Sequence, residues 1–108
     1  MLFMVVERYR NRDALAVYRR ARNQGRMMPD GLRYLGSWVE PSFERCPQLM
    51  ECDDLRLMQR WVAAWTDVVD FEVLPVLTSA ETSETVAPLL DVAEAGGVIH
   101  TKPSGSDV

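Results

Sequence analysis

Histidine is almost missing from this chain. The one present, His100, stands alone in a polar stretch near the end of the 108 residues. Imidazole is the commonest metal ligand and proton shuttle, so a zinc site or a Ser-His or Cys-His catalytic pair lacks its parts. Glycine-rich phosphate loops are missing too, and Gly96-Gly97 reads as a helix stop. Cysteine is scarce: Cys46 and Cys52 lie in one apparent strand. At about 3.3 Å per residue they are roughly 20 Å apart, beyond disulfide reach, and read as buried free thiols. Positive charge is not in excess, with 12 Lys and Arg against 16 Asp and Glu and a formal net charge of −4. That argues against a nucleic-acid partner held by bulk charge. No run approaches the roughly 20 apolar residues of a membrane span. MLFMVVERYR lacks a basic n-region, and its apolar run is shorter than a signal peptide needs. The expectation is a cytoplasmic protein with no membrane partner, no metal and no cofactor.

What remains has the composition of an ordinary globular domain, 47% hydrophobic and 26% charged, with one core. Its organising stretch is Glu51 to Leu77. Asp53 and Asp54 offer N-caps to a helix. Met58, Trp61, Val62, Trp65, Val68 and Val69 then recur at three- and four-residue spacing. Arg56, Gln59, Arg60, Ala63 and Asp67 fall on the other side. The expected helix runs to Asp70, and FEVLPVL follows as a strand apolar on both faces. Pro75 cannot donate to a ladder, which points to an edge or a bulge.

Upstream, LFMVVERY (2–9) is a strand apolar on both sides until it ends. Asp13 is a candidate cap for a helix over Ala14–Gln24, with Ala14, Val17, Tyr18 and Ala21 inward and Gly25 stopping it. PDG at 29–31 is a turn. Strands are expected over 32–40 and 45–52, paired as a hairpin. The order is βαββαβ. In this order two halves make a four-stranded antiparallel sheet with both helices on one face, the α+β ferredoxin-like plait. The apolar residues on the other face need cover, and a second copy of the chain is the economical partner.

The MLFMVVERY opening, the SWVE and QLMECDD strands, and the helix with Trp61 and Trp65 together resemble the dimeric α/β-barrel superfamily. More narrowly, they resemble a bacterial family of small stand-alone domains with no assigned function. The resemblance covers about residues 1–80 and implies a homodimer whose two sheets pack into a barrel. The superfamily includes cofactor-free monooxygenases, lactone isomerases and haem-handling members, but their His-based motifs have no counterpart here. The domain is expected over 1–78. An extension over 79–108 carries a Thr78–Glu81 capping box, a short helix to Ala87, a second opening at Pro88, and VIHTK as a strand or arm.

Candidate site residues follow from setting. Glu51, beside hydrophobic residues in LMEC, is the leading catalytic acid or base, because burial raises a carboxylate pKa; pairing with Arg8 or Arg10 is the plainer reading. Arg8 shares parity with Met4 and Val6 and is the guanidinium expected to reach a pocket. Glu7 and Arg10 lie nearby, most simply at a solvated strand end. Tyr34, Trp38 and Glu40 share one expected strand face with Gln48 opposite, and Trp61 and Trp65 complete the candidate ligand-binding set. The same aromatics also suit a core or dimer interface. The leading reading is a homodimer binding a small organic molecule between sheet and helices. The rivals are a cofactor-independent monooxygenase or isomerase, and a structural or interaction protein.

Overall fold

The computed structural model describes residues 1–95, with side chains to Asp91. Its strands and α-helices are β1 (Leu2–Tyr9), α1 (Ala14–Gln24), β2 (Arg33–Ser37), β3 (Arg45–Glu51), α2 (Leu55–Trp65), β4 (Val69–Val76) and α3 (Ser79–Ala95), with a 3-10 turn at Arg10–Arg12 between β1 and α1. The four strands form one antiparallel sheet in the order β2-β3-β1-β4. This is the expected ferredoxin-like plait. Met1–Val76 is one compact unit, and α3 belongs to a second that begins at Leu77.

Alternation along β1 sorts the sheet into two faces. Phe3, Val5, Glu7 and Tyr9 are all buried, whereas Leu2, Met4 and Val6 are half-buried and Arg8 is exposed. The cross-strand partners extend the first set with Met50, Gln48 and Cys46 from β3 and with Val69, Phe71 and Val73 from β4. Met58, Trp61 and Trp65 of α2, with Val17 and Ala21 of α1, pack onto that face. Trp61 stands edge-on to Phe71 at 5.3 Å between ring centroids.

Local chemistry accounts for the helix ends. Asp13 Oδ1 accepts from the Ala16 N–H and Asp54 Oδ1 from the Arg56 N–H, each satisfying a donor of a first turn. Gly25 ends α1 at φ +71 with its N–H on the Ala21 carbonyl. Pro75 sits on β4, the edge strand next to β1, where a missing donor is tolerated.

The sequence expectations need three corrections. The α2 helix ends at Trp65 and not Asp70, because Val69 pairs with Tyr9 and the Val68 carbonyl takes the Arg10 N–H. Val68 and Val69 fit helical spacing and strand alternation alike, and pairing with β1 decides. β2 is shorter than 32–40, and its register slips between Tyr34 and Gly36. The capping box holds, with the Glu81 N–H on Thr78 Oγ1 at 3.0 Å and the Thr78 N–H on Glu81 Oε1 at 3.0 Å. The helix it opens, however, runs unbroken through Pro88 to Ala95 and is not two pieces. VIHTK, His100 and the end of the extension lie outside the described residues.

Candidate functional site

The register slip in β2 decides which side chains meet. An extra residue at Leu35 reverses the parity beyond it, so Tyr34 and Ser37 both point to the helix-covered face, opposite Met50 and Gln48. Their hydroxyls lie within hydrogen-bond distance. Trp38 is carried to the other face, where its ring lies over Gly36 and is 60% exposed. Simple alternation had placed Tyr34, Trp38 and Glu40 together.

A cavity of about 120 Å³ opens between the helix-covered face, α1 and α2. Its inner wall is Glu7 and Tyr9 of β1 with Cys46 and Gln48 of β3. Val17 and Ala21 line the α1 side, Trp61 and Trp65 the α2 side, and Ser37 and Val39 close the β2 end. Exposed Tyr18, Arg26 and Val39 form the rim.

Glu7 is 8% exposed and stands among Tyr9, Cys46 and Gln48. Burial raises its pKa from 4.5 to about 7, even though the Gln48 amide and the Arg26 charge both pull it down. Burial, with Tyr18 beside it, pushes the Tyr9 phenol above its ordinary range. Burial and then the Glu7 charge push the Cys46 thiol up, so it is a neutral group and not an activated nucleophile. At neutral pH the cavity thus presents O–H, S–H and amide groups on one wall and apolar carbon on the others, with one acid poised to give or take a proton.

Arg26 is held in an unusual way. Trp61 Nε1 donates to its carbonyl oxygen at 3.1 Å and Trp65 Nε1 to the same oxygen at 3.0 Å. Two buried indoles therefore fix the backbone of the loop after α1, just before Met27 turns at φ +56. The Arg26 guanidinium stacks on Tyr34 at 3.7 Å from the ring centroid, and no carboxylate pairs with it among the described residues.

The residues singled out from the sequence divide between this cavity and elsewhere. Gln48, Trp61 and Trp65 line it, and Tyr34 borders it through Arg26. Glu40 is bidentate on Arg45 in the hairpin loop, where that guanidinium holds its carboxyl below the usual range. Glu51 pairs with Arg33 instead of Arg8 or Arg10. Arg8 lies on the uncovered face and borders a shallow polar groove with Arg10, Arg12 and Asp70. Glu51 pairs across from Leu2 in β1, so Arg8 is six residues, roughly 20 Å, away along that strand. The fold does not bring Glu51 and Arg8 together within one chain. The residues that sequence reasoning undervalued are Glu7 and Arg26. Glu7 carried a signal in its parity with Phe3, Val5 and Tyr9; Arg26 carried none.

Among the described residues no helix is long and apolar enough to cross a membrane. Comparison with curated proteins finds no match, and comparison with solved structures finds none. A family model described as a Domain of unknown function (DUF3303) matches residues 1–90, which spans every element of the plait and the first part of α3, and the chain belongs to that family.

Proposed function

We propose that this protein binds a small organic molecule in the cavity between sheet and helices, and that it does so as a homodimer in the manner of a dimeric α/β barrel. The observation that carries the first part is the cavity itself. Six of its lining side chains carry polar groups able to meet a ligand (Glu7, Tyr9, Tyr18, Arg26, Ser37 and Gln48), on walls otherwise apolar, the usual make-up of a ligand site. Support for the second part is the uncovered face. Met4, Val6, Leu49, Leu74 and Trp38 make an apolar patch there, with Glu72 across from Val6 on the edge strand β4 and Arg8, Arg45, Asp70, Arg33 and Glu51 towards its ends. An apolar patch with a charged rim is interface anatomy, and a two-fold pair would present the same patch to itself.

A catalytic reading also has an observation in its favour. A buried acid titrating near neutrality, as Glu7 does, suits proton transfer to or from a bound substrate without a cofactor. A thermal-shift screen against small metabolites tests the binding reading. A ligand at 100 times its dissociation constant stabilises by about 2.7 kcal/mol. Ala21→Trp, which fills the cavity, should abolish the shift. A shift that survives Ala21→Trp places the ligand elsewhere, and a blank screen leaves a protein that only makes contacts. Turnover lost in Glu7→Gln with binding kept would select the enzyme.

A further inference from the structure

We infer that the cavity takes a small organic carboxylate of about benzoate size, its anionic group on Arg26 and its uncharged end towards Glu7 and Gln48. This rests on the reading of the cavity as a ligand site and names what enters it. Size comes first. A cavity of about 120 Å³ is a little smaller than the roughly 150 Å³ cavity known to hold benzene, so one ring or a branched chain of four or five carbons fills it. A larger body would have to project past the rim.

Charge selects the anion. Arg26 borders the cavity, is exposed, and has no carboxylate partner among the described residues. Its planar fork matches a carboxylate two bonds at a time. Stacking on Tyr34 and the two indole N–H bonds to its carbonyl fix both ends of the residue before any ligand arrives. A pre-ordered guanidinium loses less freedom on binding than a mobile one. The Arg26 backbone is thereby tied to the same tryptophans that wall the cavity.

The buried acid supplies the second half of the recognition. The groups facing Glu7 are Tyr9 on β1, Cys46 and Gln48 on β3, Tyr18 on α1 and Arg26 at the rim, and Arg26 is the one fixed charge among them. With Glu7 protonated the cavity carries one positive charge and a carboxylic O–H to donate. With Glu7 ionised the two charges cancel, and an entering anion meets a carboxylate. Anion binding is therefore linked to Glu7 holding its proton. Affinity should fall by up to tenfold per pH unit above neutrality.

The test uses benzoate and isobutyrate with their uncharged amides, each titrated by calorimetry at pH 6 and pH 8.5. The expected result is that the acids bind at least tenfold tighter than the amides at pH 6. Arg26→Gln should erase that preference and Arg26→Lys restore part of it. Glu7→Gln should remove the pH dependence while keeping the acids bound. Amides that bind as well as acids, or an Arg26→Gln variant that keeps the preference, overturn the carboxylate assignment and leave the cavity a ligand site. Failure of all four compounds overturns the carboxylate assignment, and the thermal-shift screen with Ala21→Trp then decides the cavity reading separately.

Discussion

The two faces of the sheet start from similar strands and meet different fates. On one, Phe3, Val5 and Met50 are no more than 3% exposed. On the other, Met4, Val6 and Leu49 are half-buried, Leu74 is 41% exposed and Trp38 60%. Along β1 the residue types barely differ, and what separates the faces is that α1 and α2 cover only the first. The covered face can therefore enclose an acid and a cavity, while apolar area on the other face is available to a second molecule. Hydrophobic residues report that a surface is buried by something, not by what.

That contrast can be broken at its tryptophans. Trp61→Ala removes a side chain that is 3% exposed and one of two donors to the Arg26 carbonyl. It should cost about 3–5 kcal/mol in urea unfolding. Trp38→Ala, on the uncovered face, should change the stability of a single chain far less. Equal losses would mean that the two faces are not different in kind.

Next in size is the buried acid. A Glu7 pKa raised to about 7 in the folded protein, against 4.5 unperturbed, means that the folded state binds the proton more tightly. The stability linked to that proton is fully present below about pH 4.5 and is lost as pH rises to about 7, by about 3 kcal/mol. Asp54, Asp67, Glu40 and Glu81 shift the other way, each held low first by hydrogen bonds from its partner. Their contributions are present above the ordinary carboxylate range and lost in acid. Chemical denaturation across pH should show a maximum near pH 5 and a decline toward pH 8. Glu7→Gln should flatten the alkaline side alone; an unchanged decline would assign it to another group.

The uncovered face is sharpened by charge. Trp38→Glu together with Leu74→Asp should lower the self-association constant at least tenfold in sedimentation, with the far-ultraviolet spectrum unchanged. A wild-type chain that is monomeric at micromolar concentration would remove the homodimer. The smallest effect expected is at Gly31, where φ is +95 and a methyl group would lie 2.9 Å from Leu57 Cδ1. Gly31→Ala should cost about 1 kcal/mol. Part of that is backbone strain, so shortening Leu57 to Ala in the same chain should not recover all of it.

Much of this architecture was legible in the sequence because it is written locally. The bounds of β1 and α1, the Asp13 and Asp54 caps, the Thr78–Glu81 box and the hairpin of β2 and β3 each depend on a few neighbouring residues and a single period. Errors arose where two periods fit the same letters, as at Val68 and Val69, or where one inserted residue changed the parity, as at Leu35. The site was less legible still. Trp38 and Val39 exchange places because of that bulge. Glu7 stands at the end of a strand whose neighbours look solvent-facing until α1 and the loop after it close over them.

By itself, then, the sequence determined the βαββαβ order, the covered stripe with its two tryptophans and the scarcity of histidine, because periodicity, capping and composition are properties of short stretches. Tertiary structure decided, beyond the parity of Glu7 with its buried neighbours, that Glu7 rather than Glu51 is the enclosed acid, and it alone put Arg26 at the cavity rim. Both depend on contacts across the chain: Glu7 lies opposite Cys46 in β3, and the Arg26 carbonyl is held by indoles 35 and 39 residues further on. Nothing in the spacing of neighbouring residues encodes a meeting at that range.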